Sequence, residues 1–253
     1  MPPTPLAAAS VSLVLPAFNE AANLRVGLAD AVRVMEALGR TFEIIVVDDG
    51  SADGTAELVG EHGRLDPRVR LIRHSKNCGY GAALRSGFQA AAHELVFFTD
   101  ADLQFDLGEL GPLLDLACHH DVVIGYRAPR RDPWNRRLNA WAWGKLVNRA
   151  FSLQVRDVNC AFKVFHRALL QSIELRAEGA FVNTELLAVL RARGCSIREV
   201  PVTHRPRVHG VQTGAKAGVV LRAFVELIHL RGALVDTVPA RVASAGLRAA
   251  LSR

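Results

Sequence analysis

The sequence predicts an α/β protein, a mostly parallel sheet flanked by helices on both faces. Three observations carry this. Short β-branched runs alternate with longer stretches whose apolar residues recur at helical spacing. The runs are continuously apolar, as strands covered on both sides must be. Each run ends in a polar cluster, and in open parallel sheets ligands bind where the carboxyl ends of the strands emerge. With 253 residues, half of them apolar and 22% charged, the chain can bury a large core, which excludes a disordered class.

In order, "SVSLVLPAF" (10–18) is a strand, "EAANLRVGLADAVRVMEAL" (20–38) a helix and "FEIIVVDDG" (42–50) a second strand. A second helix follows "DDGSADGTAELVGEHG", with Ser51 and Asp53 expected as its caps. "VRLIRH" (69–74) is the third strand, "GYGAALRSGFQAAA" a helix and "ELVFFTDAD" the fourth strand. Asn19 with Glu20, Asp48 with Asp49, "HSKNCGYG", and Asp100 to Gln104 each follow a strand, so four loops are expected to converge on one crevice.

The net charge is +6 and the pI about 9.6, which favours anionic partners: phosphates, nucleic acid or acidic lipid. Aromatic residues interleaved with basic ones are not evident outside 134–149, so no nucleic-acid partner is expected and a non-catalytic binding module is the weaker reading. Cys78, Cys118, Cys160 and Cys195 form no CxxC pair and are expected as reduced thiols. The opening "MPPTPLAAAS" has prolines where a signal peptide carries basic residues, so no secretory leader is expected. No run of 18 uncharged apolar residues occurs, so no membrane-spanning helix is expected either.

In "FFTDADLQFD" (97–106), alternate side chains of an extended chain share a face, so Asp100, Asp102 and Gln104 can converge on one point. Hard cations such as Mg²⁺ or Mn²⁺ take oxygen ligands, usually one or two carboxylates together with substrate phosphates. Zinc would want histidine or cysteine at matched spacing, which the nine histidines do not show. Neither a P-loop nor a G-x-G-x-x-G motif occurs.

"LVLPAFNEAANL", "IIVVDDGSADGT", "NCGYGAALRSGF", "TDADLQFD", "VIGYR" and "DVNCAFKVF" stand in the order and spacing of family 2 glycosyltransferases. Over residues 10 to 230 the chain resembles the branch of that family with dolichol-phosphate mannose synthase and the polyprenyl-phosphate glycosyltransferases. The resemblance implies a GT-A fold, Rossmann-like, and an inverting transfer of sugar from a GDP- or UDP-linked donor to a polyprenyl phosphate. It implies that Pro16, Phe18 and Glu20 line the nucleotide pocket, that Asp48 reads the base beside Val46, and that Asp100 and Ala101 touch the nucleoside. It also implies that Asp102 and Gln104 ligate the Mg²⁺ or Mn²⁺ that bridges the donor diphosphate.

In the second half, the resemblance gives Arg127 and Arg136 to donor or acceptor phosphates, a role that suits the planar guanidinium fork. An exposed basic loop is the alternative for "APRRDPWNRR". Glu185 aligns with an acidic residue near the acceptor, as a positioning group, a base or a helix-surface carboxylate. Arg207 and Gly210 match the start of the family's R-x-x-G-x-S-K, but Gln212 and Thr213 stand where Ser and Lys are expected, and Lys216 is the nearest substitute for the missing phosphate contact. An alcohol acceptor needs a general base whereas an anionic lipid phosphate does not. The sequence shows arginines rather than a second conspicuous carboxylate pair, so it leans to the phosphate. Transfer to a hydroxyl of a glycolipid, glycan or small molecule is the alternative.

Residues 217–236 are apolar on most faces, with Arg222, Glu226 and His229 in one polar stripe. They read either as a core helix or as an interfacial helix helped by the basic tail. Trp134, Trp141 and Trp143 in their arginine-rich stretch suit a headgroup boundary. The expected organisation is a tail over 1–9, a catalytic domain over 10–230 and a basic Ala/Arg-rich tail over 231–253. The expected location is cytoplasmic, peripheral at the inner face of the cytoplasmic membrane.

Overall fold

The computed structural model describes residues 9–129, 134–207 and 225–231. Four strands, β1 (Val11–Ala17), β2 (Phe42–Asp48), β3 (Val69–Arg73) and β4 (Leu95–Thr99), alternate with α1 (Ala21–Ala37), α2 (Thr55–Leu65) and α3 (Tyr80–Ala90). There follow α4 (Leu110–Ala117), β5 (Val122–Arg127), α5 (Trp134–Phe151), β6 (Phe162–His166), α6 (Arg167–Gln171), α7 (Val182–Ala192) and β7 (Ile197–Val202). One seven-stranded sheet runs β3-β2-β1-β4-β6-β5-β7. All neighbours are parallel except β6, which lies antiparallel between β4 and β5.

The period-2 alternation of strands divides the core between the two faces. Val14, Ile45, Val47, Val96 and Phe98 pack under α3 and α7. Leu13, Leu15, Ile44, Val46 and Phe97 pack under α1, α2 and α4. Phe98 stacks on Phe165 with ring centroids 6.1 Å apart, while on the other face Phe97 meets Phe162 edge-on at 4.7 Å. α3 lies so close to the sheet that a Cβ at Gly87 would sit 2.3 Å from Val14 Cγ1, and only glycine permits that approach.

One expectation is corrected. α2 is capped by neither Ser51 nor Asp53: its N-cap is Gly54, at φ 87° and without a side-chain cap bond. Ser51 is used elsewhere, as described below, and Asp53 is shared: Oδ1 accepts the Thr55 N–H at the first position of α2 at 3.1 Å, while Oδ2 serves the start of α1. All four cysteines are free thiols. Among the described residues no helix is long and apolar enough to cross a membrane. Of 217–236 only 225–231 is described; it is helical, with Leu227 buried and Val225 and Ile228 exposed.

Candidate active site

The loops after β1 and β2 are stitched into one wall. Asn19, at φ 56°, donates its N–H to Ser51 Oγ at 2.8 Å and accepts the Ala52 N–H on Oδ1 at 3.0 Å. The Ala21 N–H donates to Asp53 Oδ2 at 3.0 Å and the Glu20 N–H to Thr55 Oγ1 at 3.1 Å. Ser51 and Asp53 thus bridge to the start of α1. Asp49 is consumed in the same way: Oδ1 lies 2.7 Å from His74 Nδ1 and accepts the Cys78 N–H at 2.9 Å, and Oδ2 accepts the Gly79 N–H at 2.8 Å. His74 continues through Nε2 to Ser86 Oγ at 2.9 Å. Asp49, His74 and Cys78 bring potential metal-ligand atoms within 4.8 Å of one another. These hydrogen bonds already occupy Asp49 and both ring nitrogens, so the group is a loop anchor.

Asp48 differs. It is fully buried, and Oδ1 accepts the Ser51 N–H at 3.0 Å. Oδ2 has no hydrogen bond; Arg73 Nε lies 3.6 Å away. A buried carboxylate oxygen without a hydrogen-bond donor is costly to the fold alone. Val46, expected beside the base, is wholly enclosed in the core, which makes it packing beneath Asp48 rather than pocket wall. Pro16 and Ala101 are also buried, whereas Phe18 is exposed.

After β4 the chain turns sharply at Leu103, at φ 60°, whose side chain presses on Gly27 of α1; a Cβ there would lie 2.2 Å from Leu103 Cδ2. The turn buries Asp102 and Gln104. Asp100 accepts the Tyr80 O–H at 2.8 Å and Asp102 Oδ1 the Gln104 N–H at 3.2 Å. Burial raises Asp100 above the ordinary carboxylate range. Burial, then the neighbouring Asp100 charge, pushes Asp102 up to about 7. Burial and the Asp100 charge also hold the Tyr80 hydroxyl well above its usual range, so it stays a donor. Gln104 Nε2 donates to the Arg205 carbonyl at 3.0 Å. This bond, with Arg205 N–H to the Gln104 carbonyl at 2.7 Å, draws the strand after β7 back across the cleft. Arg207 is thereby set in an ion pair with Glu20, with its NH1 3.6 Å from Asp102 Oδ2. Glu20 also accepts from Asn23 Nδ2 at 2.6 Å.

Two desolvated carboxylates on one turn are stable only beside positive charge. Arg207 supplies part of it. A hard divalent cation bound to the Asp102 carboxylate fits the same need with an oxygen donor set.

The second half places Arg127 at the carboxyl end of β5, forked onto Asp157: Nε to Oδ2 at 2.7 Å and Nη2 to Oδ1 at 2.9 Å. The antiparallel direction of β6 brings Asp157, which precedes that strand, to the edge where the other strands end. Glu185 is not on the helix surface. It is buried, and both oxygens accept main-chain N–H groups, from Arg176 at 2.9 and 3.0 Å and Ala177 at 2.9 Å. It fixes the 174–181 loop, on which α3 docks through the Gly81 N–H to the Glu178 carbonyl at 2.6 Å and Arg85 to the Ala177 carbonyl at 2.6 Å. Arg136 falls within α5, but its side chain is outside the described residues, as are Gly210, Gln212, Thr213 and Lys216. On α5, Leu138, Trp141 and Leu146 are exposed, with Lys145 Nζ 5.7 Å over the Trp141 ring, while Trp143 packs inward on Phe181.

Sequence reasoning missed Tyr80, Asp157, Lys163 and Asn183. The only available signal was position: Tyr80 sits in the third polar loop, and Asp157 and Lys163 fall within "DVNCAFKVF".

The family model for glycosyl transferase family 2 matches residues 12–173. An undecaprenyl-phosphate 4-deoxy-4-formamido-L-arabinose transferase of Aeromonas hydrophila is 30% identical over 236 residues, covering 92% of this chain and 70% of that protein. The protein of that description from Pseudomonas paraeruginosa is 34% identical over 204 residues, covering 79% and 59%. Among solved structures, glucosyl-3-phosphoglycerate synthase from Mycobacterium tuberculosis, crystallised with Mn²⁺, uridine diphosphate and glucosyl-3-phosphoglycerate, superposes with a TM-score of 0.70. It is 22% identical, with 89% of this chain and 80% of that chain covered, a likeness of fold.

Proposed function

Because the chain belongs to glycosyl transferase family 2, we propose that it transfers a sugar from a GDP- or UDP-linked donor to a polyprenyl phosphate, with Mg²⁺ or Mn²⁺. The observation that carries this is the buried Asp100 and Asp102 pair at the carboxyl end of the sheet, where burial opposes the ionisation of both and the Asp100 charge further opposes that of Asp102. The curated relatives are named for transfer to undecaprenyl phosphate, and the structural neighbour was crystallised with Mn²⁺ and a uridine diphosphate. The catalytic unit is taken as residues 10–230 of a GT-A fold.

Asp48 Oδ2 accepts from the base, Phe18 offers an exposed ring to the nucleoside, and Asp100 orients it. Asp102 and Gln104 would hold the cation, whose charge would offset that of the departing diphosphate. The lipid phosphate oxygen attacks the anomeric carbon, the bond to the diphosphate oxygen breaks, and the nucleoside diphosphate leaves with the electron pair, inverting that centre. No acceptor proton has to be removed, and this accords with Glu185 being tied to backbone N–H groups. Arg127, held to its rotamer by Asp157, and Arg207, Arg136 and Lys216 are assigned to the phosphates. The exposed Leu138, Trp141 and Leu146, with Val225 and Ile228, provide the apolar side chains for a peripheral membrane contact.

The test is a product assay with purified protein, Mn²⁺, a panel of GDP- and UDP-sugars and a short-chain polyprenyl phosphate. Sugar-linked lipid phosphate from one donor is expected. Donor binding with transfer only to a hydroxyl acceptor overturns the lipid-phosphate reading.

A further inference from the structure

Lys163 lies in the middle of β6, wholly buried, paired across the sheet with Phe98, its Nζ 5.1 Å from that ring centroid. A buried ammonium is costly unless its protons find acceptors. Two acceptors are the Cys160 carbonyl and, at 2.7 Å, Asn183 Oδ1 in the first turn of α7. The Asn183 side chain favours the Tyr80 oxygen as a nearby donor does, and Tyr80 donates to Asp100 Oδ1 at 2.8 Å.

The direction of this chain is dictated from its lysine end. An ammonium can only donate, so the asparagine must turn its carbonyl oxygen to Lys163 and its NH₂ to Tyr80. The phenol oxygen then faces the Asn183 NH₂, and its single proton is left for Asp100. Three elements, β6, α7 and the start of α3, are thereby wired so that Asp100 always receives a donor. The start of α3 is itself held at a fixed place: a Cβ on Gly81 would sit 2.0 Å from the Ala177 carbonyl oxygen.

We propose that Tyr80 is a positioning residue for the donor site, acting through Asp100, and that Lys163 and Asn183 set its hydrogen-bond polarity. The inference rests on the nucleotide-sugar reading of the site. It assigns to these three residues the task of fixing the first carboxylate before cation and nucleotide arrive.

Three variants of the full chain test it, each read by calorimetric titration with MnCl₂ and UDP or GDP and by thermal unfolding. Tyr80→Phe keeps the ring and removes the donor; cation-dependent nucleotide affinity is expected to fall roughly tenfold, the worth of one hydrogen bond to a charged group, with Tm nearly unchanged. Asn183→Asp keeps the size and gives Lys163 a carboxylate, but offers Tyr80 only acceptors. The phenol proton is expected to turn away from Asp100 and affinity to fall as in Tyr80→Phe, while Tm holds or rises. Asn183→Ala removes the link without reversing it and is expected to cost less affinity than Asn183→Asp, although it leaves Lys163 short of a partner and lowers Tm. If Tyr80→Phe and Asn183→Asp bind nucleotide and Mn²⁺ as wild type does, the positioning role is overturned and the proposed function stands. If the unaltered chain binds no nucleotide with Mn²⁺ or Mg²⁺, the donor-site reading fails and the inference with it.

Discussion

The ends of β2 and β4 each present two carboxylates, and the structure treats them in opposite ways. At β2, Asp49 takes two main-chain N–H groups and a histidine. At β4, Asp100 receives one phenol proton and Asp102 a single amide at 3.2 Å, and burial raises the pKa of both. A carboxylate surrounded by donors from its own chain is architecture. One that is buried and under-supplied is waiting for charge from outside. Asp48 stands between them, one oxygen engaged and the other without a hydrogen bond.

Breaking each end should therefore break different things. Asp102→Asn should lower turnover of lipid-linked sugar about a thousandfold or more, in a Mn²⁺-supported assay, with the chain still folding cooperatively; near-normal turnover would remove Asp102 from the cation site. Asp49→Ala should do the reverse in kind. Losing several hydrogen bonds from part-buried groups costs about 2 kcal/mol, read as a fall of roughly 4 to 8 °C in Tm. Donor affinity should follow only as the loop loosens.

The raised Asp102 pKa sharpens the contrast through pH. Its folded value of about 7 lies above the unfolded one, so the folded chain binds more protons across the interval from about 4 to about 7, and without cation its stability falls as pH rises through that window. Asp102→Asn should flatten that slope in a Tm-against-pH series. Cation binding needs the ionised form, so Mn²⁺ affinity by calorimetry should be about tenfold weaker at pH 6 than well above pH 7. The smallest effect expected is at α5. Leu138→Ser with Trp141→Ser should lower binding to anionic vesicles a few-fold in a flotation assay and leave donor affinity unchanged; unchanged flotation would take this helix out of the membrane contact.

The donor half was legible because it obeys local rules. β1 to β4 are mainly apolar runs, each with a polar cluster at its carboxyl end, and Asp48, Asp100 and Asp102 sit in those clusters. What escaped is non-local. Lys163 breaks the apolar pattern of β6, and its partner Asn183 is 20 residues away. Tyr80 is 20 residues from Asp100 and Asp157 is 30 from Arg127. No periodicity links such positions. Ser51 and Asp53 look like helix caps because spacing cannot show that the loop and helix after β1, more than 30 residues back, claim Ser51 Oγ and one oxygen of Asp53. Glu185 looks like a surface carboxylate because it carries charge on an amphipathic helix, and only the path of the 174–181 loop reveals the N–H groups it serves.

The pairing of Arg207 with Glu20 spans 187 positions. Domains fold as units, and this sheet holds all seven strands, so the cleft is closed by a contact between residues far apart in the chain. Without Arg207, Glu20 and Asp102 lose a shared counter-charge. A chain truncated just after β7 would keep every strand of the sheet and lack that closing residue.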